Sequence, residues 1–323
     1  MRTASKILLI VAAALVVIGS LSFVVVMSLN HWDFTAISTE KYNTVRHDIT
    51  DSFHSISVDT TTADIAVLPA EDGVARVECI DNEKMPHEVS VTDGVLTVKR
   101  VDKRDHWTDY ITIFNFHTAK ITVYLPEAAY AALTLKSSTG DTEIARGLQF
   151  ESITVTATTG DVTCYASAGG NIRLTTDTGD VRLQGAAASA VVISTSTGDI
   201  DAKSLTVTGA IELSVSTGDT ELTSVTCLSL TSTGGTGEIE LDGVLVSGLM
   251  SIKRGTGDVS LIASDAGEIS IETGTGDVEG SLLSAKIFLT HTSTGDVRVP
   301  NTATGGTCKI NTGTGDIRIT LVG

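Results

Sequence analysis

The sequence predicts an all-β fold: a parallel β-solenoid (β-helix) of about ten 19–20-residue coils with a β-rich N-terminal cap, preceded by one transmembrane helix. Three observations predict it. A tripeptide, Thr-Gly-Asp, first complete at Thr139-Gly140-Asp141, returns every 19 or 20 residues to the C-terminus. A fixed period of that length marks one supersecondary unit stacked many times. Each period also carries three short apolar alternations, and the composition (30 Gly, 4 Pro, 4% aromatic, abundant Thr, Ser and Val) is that of short strands joined by tight turns.

The first element is the run from Ile7 to Leu29, which holds no charged residue and follows Arg2 and Lys6. At 1.5 Å per residue a helix of this length reaches ~34 Å, enough to span a bilayer and longer than a signal-peptide core. The positive flank places residues 1–6 in the cytoplasm and the rest outside, so 7–29 is expected to be an uncleaved anchor in the cell membrane. Residues 30–52 are polar and aperiodic and are expected to form a stalk.

Residues 53–127 form a degenerate first coil and a cap. Phe53 to Pro69 copies the later repeat, with Ala63-Asp64 in the Gly-Asp place and Ile56, Val58, Ile65 and Val67 alternating around it. From Ala70 to Glu127 the repeat gives way to period-two strands, with Asp93-Gly94 as a hairpin turn that needs positive φ at both positions. Such an insertion closes one end of a solenoid, whose terminal strands would otherwise present unpaired edges.

Residues 128–323 are the regular repeat. Counting from each motif glycine, inward residues fall two and four after it (Val162 and Cys164, Val297 and Val299), seven and nine after it (Leu205 and Val207, Leu283 and Ala285), and seven and five before it (Ile153 and Val155). This is one inward-facing strand on each of three sides. The coil around Phe288 slips by one residue, which predicts a bulge there.

The motif glycines, Gly140, Gly160, Gly179, Gly198, Gly218, Gly237, Gly257, Gly276, Gly295 and Gly315, are read as structural turns, because a corner between strands calls for positive φ. The carboxylates that follow, Asp141, Asp161, Asp180, Asp199, Asp219, Asp258, Asp277, Asp296 and Asp316, can accept turn N–H groups; Glu238 replaces Asp once. Aligned acids at strand spacing also make these nine the candidates for calcium. The calcium-binding β-roll, however, has a nine-residue Gly-rich repeat, and one acid per coil supplies few ligands, so geometry is the preferred role. The outward Thr and Ser arrays follow from β-propensity.

Chemistry beyond this is sparse. The cysteines Cys79, Cys164, Cys227 and Cys308 form no paired motif and read as buried core residues. No nucleophile-elbow, metal or phosphate-loop motif accompanies the seven histidines, so no catalytic residue, metal or cofactor is assigned. The net charge of −17, without a basic patch, speaks against nucleic acid and for cationic partners. The segment Asp102 to Tyr110 mixes both charges with two aromatics, and Arg104, His106, Trp107 and Tyr110 are the candidate partner-binding residues.

The Phe53–Pro69 stretch, the Asp-Gly hairpin, the Ile121-Thr-Val-Tyr-Leu-Pro126 strand end and the serial Thr-Gly-Asp turns together resemble the bacterial putative-adhesin family, β-solenoid domains of unknown function. The resemblance spans roughly residues 53–323 and implies no catalytic residues. It implies a kinship with surface proteins and with accessory proteins of envelope-stress systems. The expected function is a non-enzymatic cell-surface or envelope scaffold, adhesin-like, with a protein or carbohydrate surface ligand. The alternatives are an envelope-stress regulator binding cationic antimicrobials or a membrane partner, and third an enzyme acting on cell-wall carbohydrate. The last coil, with no cap after it, is expected to allow end-to-end self-association.

Overall fold

A computed structural model describes residues 3–29, 31–32, 42–104 and 119–322. The helix α1 (Thr3–Leu29) contains Ile7–Leu29, long and apolar enough to cross a membrane, with a mean hydropathy of 2.9. From Ser55 onward the described residues are mostly strands, which wind into a three-sided parallel solenoid of about ten turns.

The three alternations in each repeat become three columns of inward residues, each in register from coil to coil. On the first side Leu133, Ile153, Ile172, Val191 and Ile211 stack in that order. On the second, Val162, Val181, Ile200 and Thr220 do so, with Leu148, Ala166, Ala186, Leu205 and Val225 buried on the third. Because a strand's side chains alternate, a one-residue slip would turn every column outward, and this pins the register. All four cysteines are buried and free, Cys79 in the cap and the other three in the columns.

The cap builds outward from the first coil. Its strands are β1 (Tyr42–Asp48), β2 (Ser55–Thr62), β3 (Asp64–Pro69), β4 (Arg76–Asn82), β5 (His87–Thr92), β6 (Val95–Arg100) and β7 (Lys120–Leu125). β2 and β3 lie directly on the first regular coil, their other edges taken by β6 and β7 in parallel. β5 then pairs antiparallel with β6 through the Asp93-Gly94 turn, both of whose residues have positive φ. β4 pairs antiparallel with β7.

β1 corrects the stalk reading for part of residues 30–52. It runs antiparallel on β4, from Tyr42 opposite Asn82 to Asp48 opposite Arg76. The pattern was illegible because an outermost strand buries little: only Tyr42 and His47 are half-buried, and the other five residues are exposed. It still satisfies the otherwise free edge of β4.

The C-terminal coils are not stacked in sequence order. The strand Gly306–Thr314 pairs on one edge with Val259–Thr275 and on the other with Lys286–Thr294. The last coil in sequence, marked by Gly315, therefore sits between those of Gly276 and Gly295, and the Gly295 coil is the exposed end. Pro300 gives a physical reason. It follows Gly295, lacks an N–H for the ladder and stands in a non-strand stretch at residues 299–303, which on an outermost coil interrupts pairing with one neighbour where an inner coil would lose it with two.

This placement also corrects the predicted bulge. Phe288 pairs in register with Cys308, whereas the register shifts lie between Val246 and Leu249 and between Leu261 and Ser264. The second shift brings Leu282 inward and leaves Leu283 exposed, contrary to the expectation from its spacing. Val297 is exposed because its coil has no neighbour on one side.

Candidate functional site

The Thr-Gly-Asp corners are the most repeated feature, and their geometry accounts for each residue. Every motif glycine has φ between 130° and 151°. A Cβ at Gly218 would lie 2.1 Å from the carbonyl oxygen of Gly198, and the same approach recurs at the other motif corners. Glycine is thus required twice, by backbone conformation and by the closeness of the neighbouring coil.

The Asp carboxylates form a ladder. The backbone N–H of the acidic residue in one coil donates to Oδ1 of the Asp in the neighbouring coil at 2.7–3.0 Å, beginning with Asp141 onto Asp64, continuing through Asp161, Asp180, Asp199, Asp219 and Glu238, and missing, among the described residues, only at Asp258. It resumes with Asp277 onto Asp258, Asp316 onto Asp277 and Asp296 onto Asp316, following the spatial order of the coils. A second ladder lies three residues before the glycine, where Thr176, Thr195, Thr273, Thr312 and Thr292 donate their hydroxyls to a neighbouring corner glycine carbonyl at 2.9–3.2 Å. Arg182 bridges Asp161 and Asp180, and Arg318 bridges Asp277 and Asp316. Among the described residues the ladder carboxylates do not converge as a group of three on a common point.

The hydroxyl column is broken at Ala157, Val215, Gly234 and Arg254, and the last two are coupled. The Arg254 side chain, 2% exposed, lies across the space that Gly234 leaves open, and its Nη2 donates to Thr220 Oγ1 and Ser232 Oγ at 3.1 and 3.0 Å. Burial pushes its guanidinium down to about 10, and its Nε has no partner.

At the cap, Thr60 continues the hydroxyl column but turns to a different partner. Its Oγ1 lies 2.8 Å from His87 Nε2, and His87 Nδ1 lies 2.6 Å from Asp81 Oδ1. The His87 backbone N–H donates to Asp81 Oδ2. Cys79 stands two residues before Asp81 on the same face of β4, and its thiol is pushed up to about 12 by burial and the nearby carboxylate. Hydroxyl, imidazole and carboxylate in line is the arrangement of a proton relay. Here the three residues are only 3–4% exposed, so Thr60 cannot meet a substrate; the cluster can order a proton or hold a metal. Sequence reasoning assigned Cys79 to the core and His87 to the cap, and the signal that joins them is the Cys-x-Asp pair on one strand face followed by a histidine opening the next strand.

Beside the cap is a groove of about 790 Å³. Tyr130 and Phe150 lie at its floor, with ring centroids 5.7 Å apart, and Phe53 stacks on the Tyr130 ring at 5.8 Å outside the groove. His54, Gln149 and Glu151 line its rim, and Arg146 lies over the Tyr165 ring at 5.2 Å. Of the residues expected to bind a partner, Arg104 pairs with Asp102 and holds that carboxyl down to about 2. His106, Trp107 and Tyr110 lie outside the described residues.

The family model described as Toastrack DUF4097 matches residues 53–214 and 207–323. The chain belongs to that family. Among solved structures, it is similar to a protein of Bacteroides fragilis described as a "putative adhesin", at 16% identity over 86% of this chain and 97% of that one, with a TM-score of 0.43. A Parabacteroides distasonis protein described as a "putative lipid binding protein" matches at 16% identity over 74% of this chain and 94% of that one, with a TM-score of 0.46. A second P. distasonis protein, also described as a "putative adhesin", matches at 15% identity over 87% and 98%, with a TM-score of 0.32. No curated protein matches the chain. The family is one of unknown function with a solenoid fold, and its membership accounts for the coils, not for any activity.

Proposed function

We propose that the chain is a non-enzymatic envelope scaffold, tethered by α1, which presents the cap-side groove to a surface ligand. The observation that carries this reading is how the polar side chains are used. The repeated Thr and Asp groups bond to neighbouring coils, so they hold the shape of the rod. Tyr165, Arg146, Gln149 and Glu151 instead surround an aromatic floor, a chemistry suited to sugar rings or an extended peptide. Pull-down from envelope extracts with full-length protein tests it: Tyr165→Ala with Arg146→Ala should lose a partner that wild type captures. An unchanged captured set would overturn the reading.

A second reading, an envelope-stress regulator that binds cationic antimicrobials, is favoured by the acidic ladder. Arg182, Arg318 and Arg298 pair with parts of it, but among the described residues Asp141, Asp199, Asp219 and Asp258 form no ion pair. A deletion strain separates the two, since altered stress-promoter response with unchanged adhesion supports this reading against the first. End-to-end pairing with a second copy would use the exposed Lys286–Thr294 edge, and a monomeric mass would refute it.

A further inference from the structure

We propose that Cys79, Asp81 and His87 form a zinc site that fastens the cap to the first coil. Their ligand atoms lie within 4.8 Å of one another, and all three residues are buried. The donor set selects the metal: a thiol, an imidazole and one carboxylate suit zinc, whereas calcium and magnesium take oxygen ligands. Zinc bonds of ~2.0–2.3 Å place tetrahedral ligands ~3.3–3.8 Å apart, so the cluster needs only small adjustments. His87 Nδ1 and Asp81 Oδ1, now 2.6 Å apart, must separate by ~0.7 Å as the metal replaces the proton between them.

Charge and the surrounding hydrogen bonds agree. Zn²⁺ with one thiolate, one carboxylate and a neutral imidazole sums to zero, the balance that a buried site tolerates. Binding releases the Cys79 thiol proton to solvent and leaves a fourth position for water. With zinc on Nδ1, the His87 Nε2–H donates to Thr60 Oγ1, the outer hydrogen bond that fixes a metal-bound imidazole. The ligands come from β4 and the start of β5, and Thr60 from β2, so the metal joins the cap hairpin to the stack. The other three cysteines have no such company among the described residues.

The test uses full-length protein in detergent, stripped of metal and titrated with Co²⁺. One equivalent should produce a thiolate-to-cobalt charge-transfer band, and Zn²⁺ should abolish it. Cys79→Ser should remove the band and weaken zinc binding at least ~10-fold, Thr60→Val should weaken it ~10- to 100-fold with the band kept, and Cys227→Ser should change neither. Absence of the band in wild type, which depends on no variant folding, or its survival in Cys79→Ser would overturn the assignment.

Discussion

Gly218→Ala tests whether the Thr-Gly-Asp corner is a geometric requirement. The added Cβ would sit 2.1 Å from the Gly198 carbonyl oxygen and 2.7 Å from its carbon, more than 1 Å inside ordinary contact. Relief requires the two coils to part at that corner. This breaks the Asp219 N–H bond to Asp199 Oδ1, at 2.8 Å, and the Gly198 N–H bond to the Thr217 carbonyl, at 3.1 Å. Each is worth about 1 kcal/mol, and alanine at φ 144° adds about 1–3 kcal/mol. The expected loss is therefore about 3–5 kcal/mol. Gly147→Ala is the control, because Gly147 has φ 85° with nothing within 4 Å of an added methyl, so only the backbone cost of about 1–2 kcal/mol remains. Since a solenoid need not unfold in one step, hydrogen exchange at the Gly198 and Asp219 amides is the direct assay, with urea midpoints beside it. Equal losses for the two variants, with corner protection intact, would refute the reasoning.

Other corners make further predictions. Ala263 is held at φ 45°, at a corner where Gly243 takes the same role in the preceding coil, so Ala263→Gly should raise stability by about 1 kcal/mol in urea unfolding. Gly234→Thr alone should destabilise by about 2 kcal/mol or more, because its Cβ would lie 2.6 Å from Arg254 Nη1; combined with Arg254→Thr it should extend the hydroxyl column from Thr273 over two further coils, and additive effects in the double-mutant cycle would refute the pairing. Among the described residues no ladder bond runs from Asp258 N–H to Glu238, whose carboxylate extends one methylene further. Glu238→Asp should create it, slowing exchange of the Asp258 amide and adding about 0.5–1.5 kcal/mol. For the coil order, Ser270→Cys with Lys309→Cys should form a disulfide on oxidation, while Ser270→Cys with Leu289→Cys should not.

The repeating interior was legible because periodicity and burial are the same fact seen twice: residues at fixed offsets from a motif glycine must share a face, and most do. The candidate sites were less legible, because they are made by contacts between coils. The Asp ladder follows from the motif plus parallel stacking: the turn N–H groups that the motif leads one to expect on each carboxylate come from the next coil. The Thr60, Asp81 and His87 cluster joins three segments with no shared period, and no single-chain spacing rule reaches across β2, β4 and β5. Arg254, three residues before Gly257 and so in the parity of the inward columns, is a charge at a buried position whose fit shows only when Gly234, one coil away, is seen to leave it room. β1 fails for the opposite reason, since an edge strand with one side covered needs no apolar alternation at all.

Layer order is a different kind of information. Each coil presents nearly the same corner, so the Gly276 N–H could donate to the Thr294 or the Thr314 carbonyl equally well on local grounds; the observed bond is to Thr314. What breaks the degeneracy is the one coil whose pairing is interrupted. The coil that carries Pro300 leaves the ladder over residues 299–303, and on the outermost layer this interrupts pairing with one neighbour where an inner layer would lose it with two. The same logic leaves Ile287 and Leu289 exposed on the outer face of the terminal coil, where the neighbouring coil carries Thr307 and Lys309. Replacing Pro300 with a residue that has an N–H therefore removes a bar to sequential stacking, and the cysteine pairs at Ser270, Leu289 and Lys309 would report any exchange of the two coils.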